Sequence, residues 1–553
     1  DPPYNTSASE IIYKNGYKHS SWLSLIENRI SKSKTLLRKN GIHCLTIDDF
    51  EYHKVKQLLD DLFSNYYLGT IAIKNNPSGR STTTGVSIAH EYALFHTLNE
   101  STNVGRLGRT EEQISRYKEQ DEKGAYEWVN FRKHGGTKED APSMYYPIFI
   151  NTKELTFRIP KMLFNKQKSN YELADECAVN EITVYPIDEN GTHRRWKWGL
   201  ERFSSQLNDI CIKKDKAGNL TPYIKSRMNE TGVLPLTIWD KKEYSSTSYG
   251  TNVLKNIMGD LNAFSYPKSI HAVEDALRVL NLNSQELALD YFAGSGTTAH
   301  AVINLNREDN GNRQYILVEQ GEYFDTVLKP RVQKVIYSKA WKEGKPVAED
   351  KAENLQGVPQ IVKVLKLESY EDTLNNLELR RSDLFDSLSK DVQQDYLLNY
   401  MLNLESRGSL LNVSHFEKPF DYGLNISTIS AGAYEWQKVD LVETFNYLIG
   451  AKVIGVDDKR TEQGFVAIEC HLPNQSADEK TLIFWRDCER VDYDGLQKQF
   501  DRLGINPADS EYSEVYVNGD HTLETVWDGE QSGSLKIISI EDAFLSLMFE
   551  GDA

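Results

Sequence analysis

The chain has 553 residues, of which 39% are apolar and 26% charged, with a formal net charge of −17. That length exceeds what one hydrophobic core organises, so roughly three or four folding units are expected. No stretch approaches the ~18 consecutive apolar residues of a membrane span and no charged-then-apolar leader opens the chain, which argues against membrane insertion and secretion and for a cytoplasmic protein.

Five cysteines, Cys44, Cys177, Cys211, Cys470 and Cys488, are scattered and form no C-x-x-C pair, so neither disulfides nor structural zinc is expected. The acidity is uneven. Residues 341–553 hold 20 Lys and Arg against 40 Asp and Glu, whereas residues 1–340 hold 44 against 41. The front part is therefore near neutral and free to carry basic patches, so a nucleic-acid partner is not excluded. The acidic part is open between solubility and docking of a partner. The first residue is Asp rather than Met, and no apolar strand precedes it to deliver it to a sheet edge. The chain accordingly reads as a fragment whose central sheet is incomplete at the N-terminal side.

In chain order, Ser21 to Ile30 places apolar residues at 22, 23, 26 and 30 on one helical face, and Gly41 to Ile47 is a buried strand. A helix from Val55 to Phe63, a strand from Leu68 to Ile73, a polar loop over 74–81 and a strand from His90 to Phe95 follow. This alternation predicts a mostly parallel sheet covered by helices. Residues 101–235 break the rhythm with short aromatic strands and basic clusters at Phe131–Gly136, His193–Trp198 and Lys213–Lys216. Cations interleaved with rings suit phosphates and stacked bases, and equally suit solvated turns. Trp196 and Trp198 alternate along a strand and read as core. The rhythm resumes with a helix from Ile270 to Leu280, a strand from Leu287 to Phe292, a helix from Thr298 to Leu305 and a strand from Gln314 to Glu319. The tail predicts a helical stretch over Tyr370–Leu404 and strands over Phe465–Leu472 and Thr481–Trp485. The expected domains are 1–100, 101–235, 236–340 and 341–553, with 101–235 inserted into the first α/β unit.

Two segments carry chemistry. Asp1-Pro2-Pro3-Tyr4 supplies an acceptor, a rigid carbonyl and a stacking face, which suits a flipped base bearing an exocyclic amine; taken alone it reads as a turn, and the functional reading needs a cofactor site beside it. Gly294-Ser295-Gly296 lies between strand and helix, where backbone N–H groups meet a ligand, and Glu319 stands near the spacing at which an acid grasps ribose hydroxyls. Thr298 occupies the place of a third glycine, which favours a mononucleoside-type cofactor over NAD. His90-Glu91 lacks H-E-x-x-H spacing and reads as strand, so no metal site is expected.

In this order, flanking an insertion, the two motifs resemble the β-class of S-adenosylmethionine-dependent amino DNA methyltransferases, and in particular the modification (Mod) subunits of type III restriction-modification systems. Further matching stretches are Tyr17 to Leu23, Trp128 to Arg132, Tyr145 to Ile148, Trp239, Tyr249 to Thr251, Tyr266 to Lys268, Val515 to Asp520 and Leu547 to Glu550. The resemblance implies a Rossmann-like methyltransferase core with an inserted target-recognition domain and an α+β C-terminal domain. It implies that Asp1 and the Pro2 carbonyl accept the two hydrogens of an adenine N6 amine, that Pro3 stiffens the turn and Tyr4 stacks on the base, and that Asn5 and Thr6 shape the pocket floor. Asp rather than Ser at the first position favours adenine over cytosine. It places Asp290, Phe292, Ala293, Gly294, Ser295, Gly296, Thr297 and Glu319 around the cofactor, with Lys268 and Ser269 near its carboxylate end. It assigns DNA contacts to the insertion, where Arg132, Lys133, Arg194, Arg195 and Lys197 are the candidates. It implies double-stranded DNA as substrate, a homodimer and a helicase-nuclease restriction subunit as partner. Two other readings stay open: a solitary or phage-defence methyltransferase, and a truncated, non-catalytic DNA-binding or assembly subunit.

Overall fold

The structure is a computed structural model that describes residues 1–5, 19–64, 66–79, 85–215, 218–260, 264–348, 354–367, 412–427, 434–473, 475–476, 478–505, 511–523 and 535–549, with isolated positions between 369 and 376. It divides into two units, Asp1–Ile361 and Val362–Ala553.

In the first unit, α1 (His19–Leu36) buries Trp22, Ile26 and Ile30, spaced four apart on one face. Then come β1 (Ile42–Ile47), α2 (Tyr52–Leu62), β2 (Tyr67–Ile73) and β3 (Glu91–Thr97). The sheet order is β1-β3-β2, and β3 runs antiparallel to both neighbours. The expected mostly parallel sheet is thus interrupted here by one reversed strand, β3. β1 and β2 are joined through α2 and leave a strand-wide gap between them, which β3 fills; past β2 the chain turns where the Gly79 N–H donates to the Asn76 carbonyl. As a result β3 begins where β1 and β2 end, with Tyr92 opposite Ile47 and Glu91 opposite Ile73. Successive residues face opposite sides: Leu45, Ile47 and Leu94 pack on α1 and α2, while Ala93 and Phe95 pack with Trp239 and Tyr244.

The insertion is closed at its base by the bridge Leu107↔Val233. It begins with α3 (Glu111–Ile114), β4 (Glu119–Asp121) and β5 (Gly124–Asn130), and continues through β6 (Ile148–Asn151), β7 (Phe157–Arg158), β8 (Met162–Asn165), β9 (Asn170–Leu173) and β10 (Glu181–Val184). After α4 (Leu200–Ser205) it ends with β11 (Ile210–Lys214) and β12 (Leu220–Arg227). The antiparallel sheets β11-β12-β5-β4 and β10-β6-β7 and the hairpin β8-β9 enclose Phe131, Tyr146, Trp196, Trp198 and Phe203. The two tryptophans are core residues, as their alternation predicts.

The chain returns as β13 (Ile238–Trp239), parallel to β2. It continues through α5 (Asn252–Met258), α6 (Ile270–Val279), β14 (Leu287–Asp290), α7 (Thr297–Asp309), β15 (Gln314–Leu317) and α8 (Lys329–Tyr337). β14 and β15 pair in parallel. Among the described residues the outer edges of β1 and β14 have no strand partner. The hairpin β16-β17 (Ala340–Lys342, Lys345–Val347) packs on this unit: Gly344 N–H donates to the Asn256 carbonyl, and Trp341 joins Ile257, Ile303 and Val335. The compact unit extends to Ile361.

In the second unit, β18 (Gly423–Ser427) pairs antiparallel with β19 (Tyr434–Lys438). A mixed sheet follows, in the order β20 (Lys452–Lys459), β21 (Phe465–His471), β22 (Lys480–Arg486), β23 (Tyr512–Val517) and β24 (Lys536–Ser539). The helices are α9 (Leu441–Leu448), α10 (Tyr493–Arg502) and α11 (Ile540–Phe549). Ile468, Ile483 and Trp485 pack on one side of this sheet and Phe465, Ala467 and Phe484 on the other. Strands β21 and β22 match the expected ones; the helical stretch expected over Tyr370–Leu404 lies almost wholly outside the described residues. No helix among the described residues is long and apolar enough to cross a membrane.

Candidate active site

Three strand ends meet behind the opening tetrapeptide. Thr46, near the end of β1, donates to Asp1 Oδ1 at 2.9 Å, and Lys268 Nζ lies 3.2 Å from the same oxygen. Among the described residues nothing donates to Asp1 Oδ2 or to the Pro2 carbonyl. The Pro3 carbonyl, by contrast, accepts from Trp22 Nε1 at 2.9 Å, which fixes the turn on α1. Tyr4 donates its hydroxyl to Glu91 Oε2 at 3.0 Å, and Asn75, just past β2, donates to that oxygen at 2.8 Å. The Lys268 ammonium also contacts the Tyr4 hydroxyl and Glu91, and stands 4.8 Å over the Tyr4 ring centroid. Burial, and then the Glu91 carboxylate, push the Tyr4 hydroxyl well above its ordinary range, so it stays neutral. Asn5, buried at φ 58°, donates to Glu51 Oε1 at 2.9 Å; Thr6 lies outside the described residues.

The glycine turn follows β14. Asp290 accepts from the Phe292 N–H at 3.1 Å and from the Thr298 hydroxyl at 2.6 Å, closing the turn on itself. Gly294 and Gly296 take φ of 54° and 80°, the left-handed region that favours glycine. Glu319 Oε2 accepts from the Gly294 N–H at 2.7 Å, while Oε1 accepts from the Gln320 and Gly321 N–H groups. Beneath the turn lies a residue that no sequence motif flags. Arg331 is fully buried and donates to Ser295 Oγ at 2.8 Å, Thr297 Oγ1 at 3.0 Å and the Ser295 carbonyl at 3.2 Å. Burial pulls its guanidinium down to about 9.

A cleft of about 1190 Å3 joins the two segments, lined among others by Asp1, Pro2, Lys268, Asp290, Phe292, Ala293, Gly294, Ser295 and Thr297. Tyr4 and Phe292 pack against one apolar cluster. The space exceeds the roughly 300–1,000 Å3 of small-molecule sites and extends between the edges of β1 and β14. A nucleoside-type cofactor fits it, because among the described residues the position a Gly294 Cβ would take has only the Phe264 ring within 4 Å, at 3.7 Å, so a ligand can approach the backbone closely. Three residues expected near the cofactor do not line this cleft: Gly296 sits under Leu328, Glu319 holds the turn, and Ser269 caps α6 while donating to the Glu243 carbonyl at 2.6 Å. Lys268 does line it, and its ammonium turns to Asp1, Tyr4 and Glu91.

The packing behind Lys268 is tight. A Cβ on Gly250 would press on the Pro267 carbonyl oxygen and stand 3.0 Å from that of Lys268. Gly250→Ala is therefore expected to shift Lys268 and lower turnover by about tenfold or more without loss of the fold. Turnover measured beside a melting curve checks this, and unchanged turnover would count against it.

Across the cleft, His43 Nε2 lies 3.0 Å from the Tyr291 hydroxyl and the imidazole stacks on Phe63. Burial lowers its pKa from 6.5 to about 3. Between those values the unfolded chain takes up a proton that the folded chain refuses, so stability is lost as pH falls from 6.5 towards 3. Melting temperatures should drop across that window, and less steeply in His43→Gln; parallel curves would remove His43 as a cause.

In the insertion, the bridge Arg132↔Trp196 brings two basic clusters side by side. Arg132 is buried and donates to the Ile187 carbonyl at 2.5 Å and to Glu189 at 2.6 Å; Arg194 pairs with Asp188 at 2.7 Å. Both are engaged within the domain. Lys133 is exposed, and Arg195 and Lys197 are half-buried beside it. A second basic-aromatic group pairs Lys213, from the cluster expected at Lys213–Lys216, with Lys225, which the sequence did not single out: they stand over Trp128 and Tyr126 respectively. Their alternation on neighbouring strands is visible only once the strands are paired.

The chain is similar to several known proteins. The chain is 30% identical to the type II methyltransferase M.KpnI of Klebsiella pneumoniae over 58% of its own length and 73% of that enzyme. It is 27% identical to the type III EcoPI Mod subunit of Escherichia phage P1, over 58% of this chain and 53% of the relative. It is 25% identical to the probable type III HindVI Mod subunit of Haemophilus influenzae, over 76% and 58%. The chain thus spans little more than half the length of the two Mod subunits. The N6/N4 DNA methylase family matches residues 1–329, a span that contains the tetrapeptide, the insertion and the glycine turn, and the chain belongs to that family.

Proposed function

We propose that the chain transfers the methyl group of S-adenosylmethionine to the N6 amine of an adenine extruded from duplex DNA, as the modification subunit of a type III system. The observation that carries this reading is the pair of open acceptors, Asp1 Oδ2 and the Pro2 carbonyl, in one cleft with the glycine turn. An exocyclic amine has two hydrogens. Two acceptors fixed on a rigid Pro-Pro turn hold both and aim the nitrogen lone pair away from the protein backbone. Tyr4 offers its face to the base, with its hydroxyl tied back to Glu91. The cofactor supplies an electrophilic sulfonium methyl. As the new C–N bond forms and the C–S bond breaks, the amine acquires positive charge, which Asp1 stabilises before its proton is released. Phe292, Ala293 and Gly294 shape the cofactor pocket, Asp290 and Glu319 hold its turn in place, and Lys133, Arg195 and Lys197 of the insertion meet DNA.

The relatives named as type III Mod subunits support a restriction subunit as partner; a homodimer and a cytoplasmic location are proposed beside it. A second reading, a methyltransferase acting without a nuclease partner, is favoured by the likeness to a type II enzyme over 73% of that enzyme's length. Transfer of radiolabelled methyl from S-adenosylmethionine to unmethylated duplex DNA, with the product identified as N6-methyladenine, tests the activity. N4-methylcytosine or no product would sink it. Copurification of a helicase-nuclease subunit separates the two readings.

A further inference from the structure

Glu91 has no part in the amine contacts just described, yet it sits at their centre. It is 3% exposed, and a single oxygen, Oε2, receives the Tyr4 hydroxyl, the Asn75 amide and the Lys268 ammonium. Lys268 is thus shared between two carboxylates, Glu91 and Asp1. The sharing is asymmetric: among the described residues both partners of the Asp1 side chain, Thr46 and Lys268, sit on Oδ1. An ammonium whose only neighbouring anion was Asp1 would centre itself between the two carboxylate oxygens, because that geometry maximises attraction to a delocalised charge. It would then occupy the acceptor that the target amine needs.

We propose that Glu91 is a positioning residue for methyl transfer: it draws the Lys268 ammonium and the Tyr4 hydroxyl onto its own oxygen, so that Lys268 meets Asp1 at Oδ1 alone and Oδ2 stays open to the amine. This rests on the reading of the tetrapeptide as the amine-binding site. Glu91 lines the cleft, and its role is exerted through two neighbours, Lys268 and Tyr4. Its charge, rather than its shape, is what holds the ammonium away from Oδ2. The same contacts pin the Tyr4 hydroxyl and with it the direction of the side chain, while the Lys268 ammonium stands over one face of the ring.

Glu91→Gln keeps the size of the side chain and removes its charge. It is expected to lower kcat for methyl transfer to unmethylated genomic DNA about 10- to 100-fold, with the KM for S-adenosylmethionine nearly unchanged. The decisive measurement is the same substitution in a Lys268→Met background. With no ammonium to misplace, Glu91→Gln should cost little further turnover there. Losses that add across the two sites, or a Glu91→Gln variant as active as the unaltered protein, overturn the proposal. If the Gln variant fails to fold, Glu91→Asp takes its place: the shorter carboxylate reaches Lys268 less well, and its loss should likewise vanish beside Lys268→Met. Absence of transfer by the unaltered protein overturns the underlying function and this role with it, whereas transfer with additive losses overturns this role alone.

Discussion

Asp1→Ala is expected to lower methyl transfer on the order of 10²–10³-fold while cofactor affinity changes little, since the lost interaction strengthens only as charge develops on the amine. The physical reason lies in the two ends of the carboxylate. Oδ1 is engaged by Thr46 and Lys268 and fixes the side chain; Oδ2, which no described residue's donor meets, is the acceptor that the proposed mechanism leaves to the amine. Alanine removes both, and Lys268 retains Glu91 as its anchor, so the surrounding structure has little reason to collapse. Asp1→Asn should fall between the two, because one amide oxygen can still accept while the charge that steadies the transition state is gone. Turnover with labelled cofactor, set beside a calorimetric titration of S-adenosylmethionine, checks both variants. A loss of cofactor affinity equal to the loss of rate would place Asp1 at the cofactor instead of the amine.

Trp196→Ala should cost about 3–5 kcal/mol, the range for truncating a large buried aromatic. Trp196 is fully buried, stacks on Phe131 with centroids 5.0 Å apart, and donates Nε1 to the Tyr146 carbonyl at 2.7 Å. Truncation leaves a cavity and an unsatisfied buried carbonyl at once. The damage should be confined to the insertion, because no residue between 101 and 235 lines the cleft. Trp196→Ala is therefore expected to lose DNA binding, read by mobility shift, while still binding S-adenosylmethionine. Loss of both together would show that the insertion and the core fold as one cooperative unit.

The contrast between these two variants follows how the chain could be read before its tertiary structure was known. Local patterns carried the elements: the four-apart apolar spacing of α1, the alternation of β21 and β22, and the strand-glycine-helix run from Leu287 to Asp309 all appear where periodicity and turn chemistry place them. Trp196 and Trp198 were legible as core for the same reason. The tetrapeptide and the glycine turn were legible as a pair because each demands unusual backbone, two prolines in one and left-handed glycines in the other.

Position along the chain decided which segments exist; pairing decided which side chains meet. Because β3 runs antiparallel between β1 and β2, its first residue falls at the same sheet end as the last residues of its neighbours, and Glu91 arrives beside Asp1 and Tyr4 from 87 residues away in sequence. Read as one more parallel strand, that segment put Glu91 at the opposite end. Arg331 was invisible for a related reason: it is an ordinary cation on a helix until α8 packs beneath the turn and buries it against Ser295 and Thr297. Periodicity records the burial of a residue against its own element, whereas hydrogen bonds between strand ends and loops depend on long-range register, which no local pattern encodes.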